Sequence, residues 1–451
     1  MTMRSLAASS VIATCLLVAA AASAQQPGAE SPPAAAEPAA PPPPVSPPPP
    51  PPPAPAPPPH EEKGEVKLPP VRFYGMLRPT LVIAGRAAES FSNPNESAIT
   101  AAANPVLAPL HDTERATFHV AQSRFGFQLN EKGQFRGHLE IDFYDSTKAT
   151  PTVASMPRLR IATVDWVPSE HFTLSVGQDW DLHSPLNPYT INLVGLGFES
   201  GNTGFMRQQI KAIVTIDDAI ELAGAVGMQG LNITATDSAV EIGHFPSFAA
   251  RIAAIVGKTG RIGISGIATR LTFSQALPTE RLAGGLGGAA YADVTPYEAL
   301  NFRFEGYIGR NQANMGMLAL GQGNVDSDAD ELGGFVSAHH TIVKGHAIYA
   351  MGGFAQILNA NDVMPSYQYP AAAAGAPAPA PSTATSNGTG PGMRWNWSAR
   401  LAYEVSPIKA VSFITEGFVL QSKHVLLAVD QGRFKATQIA PGVEMGLIYT
   451  F

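Results

Sequence analysis

Cysteine is almost missing from this chain: among 451 residues Cys15 is the only one. Disulfides therefore cannot hold the fold together. Charge is also scarce, at 14% of residues against 45% hydrophobic. That balance calls for a large buried core or for membrane spans. Past residue 24 there is no run of about 18 apolar residues, which excludes spanning helices. No block of Lys or Arg occurs and the formal net charge is −7, so nucleic acid is not an expected partner. Ser, His and Asp are present, but no stretch pairs them at a spacing that singles out a catalytic site. A barrel hydrolase is thereby disfavoured, and no enzyme activity, cofactor or metal is expected.

What the chain does have is 42 Gly and 41 Pro. Much of the Pro falls in one N-terminal tract, whereas Gly is spread through the remainder. Residues 1–24 read as a secretory signal peptide: Arg4 begins it, Val11 to Ala22 is apolar, and Ala22-Ser23-Ala24 is a small-residue cleavage site. Cys15 lies inside it. Ile12-Ala13-Thr14-Cys15 falls short of a lipoprotein signal, because Thr is a poor neighbour for the modified Cys and the apolar run continues past it. Residues 25–70 read as a disordered, Pro/Ala-rich periplasmic linker, with its densest tract at 26–59. That tract lacks amide donors and bulk, so it should be an extended spacer with a reach on the order of 100 Å. It is either a solvated linker or a contact with peptidoglycan.

From Val71 onward the pattern has period two. In Phe135-Arg-Gly-His-Leu-Glu-Ile-Asp-Phe143 the apolar residues share one face and Arg136, His138, Glu140 and Asp142 the other. Met206 to Ile216, Leu300 to Ile308 and Trp395 to Tyr403 repeat this. Alternation over about ten residues fits a strand that crosses a membrane, apolar to lipid and polar to a lumen. Segments of this kind begin near Val71, Thr117, Phe135, Pro157, His171, Phe205, Ile220, Pro246, Arg261, Leu282, Ala299, Glu331, His346, Met393, Lys409 and Gln438. These sixteen candidates form an even number, as single-chain barrels require. Short polar turns alternate with long connections at 84–115, 146–156, 182–204, 231–245, 310–330 and 359–392. The expected fold is all-β: a sixteen-stranded antiparallel transmembrane β-barrel over 71–451, with alternation blurred in 261–295.

The phasing places Arg124, Arg136, Arg158, Arg160, Arg207, Lys211, Arg251, Arg303, Arg394 and Arg400 on the lumen side. Inward acids are fewer: Glu140, Asp142, Glu305, Glu404 and Glu416. An arginine-rich wall attracts anions, since guanidinium stays charged and grips carboxylate in a fork. The bland alternative is that these charges neutralise one another. Asp326-Ser-Asp328-Ala-Asp330-Glu331 fails the EF-hand pattern, with Glu at position six and Ser337 at twelve. Gly284-Gly-Leu-Gly-Gly288 is no phosphate loop; its glycines suit bending or close packing of an inward loop. His339-His340 divides between the two faces of a strand. Residues 371–390 read as a low-complexity loop tip.

The last strand, Val443 to Phe451, puts Leu447, Tyr449 and Phe451 on one face, and it should pair with the first strand to close the barrel. This ending resembles the signal by which bacterial outer-membrane barrels are recognised by their assembly machinery. Arg158-Leu-Arg-Ile-Ala162, Ser175-Val-Gly-Gln-Asp-Trp-Asp181 and Gly204-Phe-Met-Arg-Gln-Gln209 resemble the trimeric dicarboxylate-porin-like group over residues 71–451. The resemblance implies a homotrimer in the outer membrane of a Gram-negative bacterium, in contact with its lipid and lipopolysaccharide. It also implies that the third long connection folds inward and sets the pore. Asp179, Asp181, His183, Asn187, Tyr189, Asn192, Glu199 and Asn202 would then face the arginines across the opening. Members of the group often carry a periplasmic coiled coil, where this chain has the Pro-rich tract. The expected function is passive diffusion of small hydrophilic solutes, favouring organic anions such as dicarboxylates. The alternative is a general-diffusion porin that also anchors the cell wall.

Overall fold

The computed structural model describes residues 70–85, 115–143, 157–191, 197, 199–204, 206–228, 246–257, 260–274, 280–321, 323, 327–363, 393–424 and 437–451. The expected signal peptide, the Pro-rich tract and the tip at 371–390 lie outside them.

Alternation dictates the strands. In Ile220–Gly227 every second residue is buried, with Glu221, Ala223 and Ala225 inward and Ile220, Leu222 and Val226 outward. The segments are β1 (Val71–Leu77), β2 (Thr80–Ala84), β3 (Arg115–His119), β4 (Arg124–Leu129), β5 (Phe135–Asp142), β6 (Arg158–Ser169), β7 (Phe172–Trp180), β8 (Met206–Ile216) and β9 (Ile220–Gly227). They continue as β10 (Ser247–Val256), β11 (Gly260–Ser274), β12 (Glu280–Tyr297), β13 (Leu300–Arg310), β14 (Asp330–Val343), β15 (His346–Ile357), β16 (Met393–Ile408), β17 (Val411–His424) and β18 (Thr437–Thr450).

Eighteen segments make sixteen crossings, because the first two crossings are each interrupted. β1 and β2 both pair with β18, and β1 pairs with β4 while β2 pairs with β3. The first break falls at Arg78–Pro79, where proline offers no amide to the ladder and restricts the residue before it. The second is a turn at Val120–Ser123, closed by the Ser123 amide on the Val120 carbonyl at 3.0 Å. Ala121, Gln122 and Ser123 are buried there, and the Arg78 amide donates to Ser123 Oγ at 3.0 Å.

Every pairing is antiparallel, and β9–β10 joins the two runs of strands into a ring. The seam closes where the Gly75 and Phe451 amides each donate to the other's carbonyl at 3.1 Å. The blurred region 261–295 is two long strands, β11 and β12, paired from Arg261↔Asp293 to Ser274↔Glu280. Glycine and alanine hide its alternation without disturbing its register. Outward side chains such as Phe118, Val164, Ile210, Ile264, Ile308 and Leu401 are exposed. A belt of that extent suits hydrocarbon and not water.

The buried apolar clusters lie on the opposite, inner surface, and several are made by connections pressed against the wall. Leu182, Leu186 and Ile191 insert into three separate wall patches, beside Ala223, Phe335 and Ile414 respectively. Met315 and Met317, from the connection after β13, pack on Ile267 and Leu271. Thus, among the described residues, two connections enter the lumen.

Candidate functional site

The connection after β7 is held by carboxylates that the wall aims inward. Ser184 Oγ and the Leu186 amide donate to Glu305. Thr190 Oγ1 and the Ile191 amide donate to Glu416, at 2.8 and 2.7 Å. Tyr189 is fixed by its amide on Ser337 Oγ, 3.1 Å, and its hydroxyl on Asn301, 2.7 Å. Glu305 and Glu416, predicted as inward acids, do point inward, but the loop covers them.

The connection after β13 docks beside it. The Glu199 amide donates to the Leu318 carbonyl and the Leu318 amide to the Thr203 carbonyl, both at 3.0 Å. The Leu320 and Gly321 amides donate to Glu331 at 3.0 and 2.8 Å. Alternate glycines of the Gly284–Gly288 run make room: a Cβ on Gly285 would lie 2.7 Å from Met315, and one on Gly287 2.7 Å from His183.

A cavity of about 430 Å³ lies between the first loop and a wall formed by Arg78 and strands β4, β6, β7, β13 and β15–β18. Four arginines line it: Arg78, Arg124, Arg160 and Arg303. Its aromatic and aliphatic surfaces come from Trp180, Tyr189, Tyr349, Ile191, Ile414 and Ile448, and its only acid among the described residues is Glu404.

Most predicted basic residues are already paired. Arg158 forks onto Asp142 at 3.0 and 2.7 Å. Arg160 meets Glu140 at 2.6 Å and Asp142 at 3.2 Å, and its guanidinium lies 5.7 Å from the Trp180 ring centre. Lys211 pairs with Asp179 at 2.5 Å, Arg251 with Glu221 at 2.6 Å, and Arg400 with Glu416 at 3.2 Å. Arg303 joins Asp293 at 3.1 Å and the Asn187 carbonyl at 3.0 Å, stacked 4.3 Å over Tyr189. Arg136 turns back to the Gly133 carbonyl, 3.0 Å, and Arg394 donates to Asn361. Of the predicted basic residues, only Arg124, Arg160 and Arg303 reach the cavity.

The expected row of acids facing arginines across the opening is not what the loop provides. Asp179 belongs to β7, directly opposite Arg207 in the ladder, and its carboxylate is taken by Lys211. Asp181 is buried against Arg207 at 2.5 Å. Burial alone would raise its carboxyl, but Arg207 and the His183 amide bring it below the ordinary value. His183 is enclosed beneath the loop, where burial pushes its imidazole down to about 4. Asn202 is buried and donates to Asn187 at 3.1 Å. Glu199 is engaged by its backbone with the second loop, and Asn192 lies outside the described residues. Of the seven that are described, only Asn187 and Tyr189 border the cavity. The acids found bases one strand away, so nothing remained to project.

Arg207 is likewise no lumen cation. Buried, it donates Nε to Asp181, Nη1 to the Met228 carbonyl at 2.6 Å and Nη2 to the Met315 carbonyl at 2.8 Å. Arg78 was missed, although counting by twos places it inward: buried Thr80 and Val82 beyond Pro79 keep the same parity, and the register against β18 runs unbroken from Met76↔Thr450 to Gly446↔Thr80. Arg78 pairs with Glu444 at 3.1 Å and donates to the Ile191 carbonyl. The available signal was parity with Tyr74, whose hydroxyl turns inward to Glu140. Leu447, Tyr449 and Phe451 face outward as phased, and Phe451 packs on Phe73 and Phe125 with centroids at 5.4 and 6.1 Å.

The architecture is that of the outer-membrane porins. It is similar to the outer membrane channel DcaP of Acinetobacter baumannii, with a TM-score of 0.61 and 14% identity over 84% of this chain and 97% of that one. It is also similar to the anion-selective porin from Comamonas acidovorans, with a TM-score of 0.51 and 10% identity over 85% and 99% of the two chains. At these identities the likeness establishes the fold. No family model matches the chain, and no curated protein matches it.

Proposed function

We propose that this protein is an outer-membrane channel through which small hydrophilic solutes diffuse, with organic anions favoured. The observation that carries this reading is the composition of the passage: four arginines and one glutamate line the space the loops leave. Guanidinium groups in a confined, partly apolar space concentrate anions at the narrow point. Both neighbours reported above are channels by name, and one is anion-selective. The apolar belt would meet lipid and lipopolysaccharide. The face bearing Leu447, Tyr449 and Phe451 would serve the assembly machinery, and the resemblance at sequence level supports a homotrimer.

Reversal potentials in planar bilayers under a salt gradient test the reading. A potential on the anion side is expected, and clear cation selectivity overturns it. The Pro-rich tract supports a second, compatible role at the peptidoglycan. Deleting residues 26–59 should leave conductance intact while abolishing any retention of the protein on purified cell wall.

A further inference from the structure

Resting on the anion-channel reading, we infer that the constriction selects organic acids carrying a single carboxylate on an apolar body, rather than dicarboxylates. Three of the four arginine charges at the cavity are already spent. Arg78 is balanced by Glu444, Arg160 by Glu140 and Asp142, and Arg303 by Asp293. Arg124, at the start of β4, has neither a hydrogen bond nor an ion pair among the described residues, and its Nε is buried without an acceptor. One guanidinium fork therefore remains for a permeating carboxylate, which matches it in planar two-point geometry.

The rest of the lining decides what the carboxylate is attached to. Trp180, Tyr189, Tyr349, Ile191, Ile414 and Ile448 share the cavity with Arg124. An apolar or aromatic body would shed water against them, whereas a bare small anion would gain only the charge contact. A second carboxylate meets two obstacles. Glu404 lines the same space, engaged only by hydroxyl donors such as Tyr349 and Ser406, and a like charge there is repelled. Capturing another arginine would mean breaking an existing ion pair and leaving a wall carboxylate without its partner.

Chloride current through the full mature protein in planar bilayers gives the test. Four blockers separate the terms: benzoate, terephthalate, acetate and benzamide. Benzoate should halve the current at a concentration about tenfold or more below each of the others, the size of one charge-assisted hydrogen-bond pair. In Arg124→Gln, checked for folding by the heat-dependent gel shift, benzoate should lose this advantage and approach acetate. Glu404→Gln should narrow the gap between benzoate and terephthalate. Terephthalate blocking as well as benzoate, or an unchanged benzoate block in folded Arg124→Gln, overturns the inference. Should that variant not fold, the blocker series on the unaltered protein still decides. Anion selectivity with no benzoate preference sinks this inference alone, while cation selectivity sinks the reading beneath it.

Discussion

Glu416 answers three groups at once: the Thr190 hydroxyl, the Ile191 amide and the Arg400 guanidinium. All lie out of water, so each loses a buried acceptor if the carboxylate is removed. Glu416→Ala is expected to cost about 3–5 kcal/mol, because it removes the carboxylate of a buried ion pair and the acceptor of two loop donors. Urea unfolding in detergent micelles reads that loss directly, and a change below about 1 kcal/mol would show that the loop is held elsewhere. This residue also marks what period-two phasing can and cannot say. Phasing correctly turned Glu305 and Glu416 inward, since side-chain direction in a strand follows from parity alone. It carried no information about what sits on top of them. Arg78 obeys the same rule: it shares the inward parity of Thr80, Val82 and Ala84, and Pro79 interrupts the ladder without shifting it.

At the scale of elements, strands and loops differ in legibility for one physical reason. A strand against lipid must alternate, so its chemistry repeats and can be counted. A loop that docks on an inner wall needs only a few anchors at irregular spacing, as with Leu182, Leu186 and Ile191. The first inward connection was expected from family resemblance. The second, after β13, carries in sequence only a run of acids that fails the EF-hand pattern, with no sign of an inward course. Of those acids, Asp328 and Asp330 pair with Arg310 at 3.8 and 2.7 Å, and the apolar part, Met315 and Met317, turns inside. Arg207 ties both connections to β8 through Asp181 and the Met315 carbonyl. It acts on permeation through them, being a positioning residue with no face on the cavity. Arg207→Gln should therefore raise single-channel conductance and open-state noise as the loops loosen, with little change in reversal potential. A shifted reversal potential at unchanged conductance would instead mark Arg207 as a selectivity residue. At Gly201, whose φ of 115° and carbonyl-facing Cβ position (2.1 Å from the Gly334 oxygen) allow no side chain, the loop touches the wall by backbone alone.

The whole molecule is a ring, and its one discontinuity in sequence is the seam between the first and last strands. Strand number and the alternation of short and long connections were readable in advance, because closure without edges demands an even, antiparallel ring. Register at the seam was not readable, since Val71 and Phe451 stand far apart in the chain and no local pattern sets their offset. The structure fixes it: Gly75 and Phe451 exchange hydrogen bonds, so the next pair, Met76 and Thr450, faces across the ladder without them. Such pairs bring Cα atoms to about 4.5 Å, within reach of a disulfide. Thr450 also lines the cavity, where an oxidant in water can arrive. The scarcity of native cysteine makes the experiment clean, because Cys15 falls in the segment read as a signal peptide. Met76→Cys with Thr450→Cys should cross-link on oxidation in the folded protein, giving a compact, faster-migrating band when later denatured without reductant. The pair Met76→Cys with Tyr449→Cys, one residue out of register and on the opposite face, should not. Cross-linking of the second pair in preference to the first would show a slipped seam, and a slip by one would turn the inward residues of β18, Glu444 among them, toward the lipid.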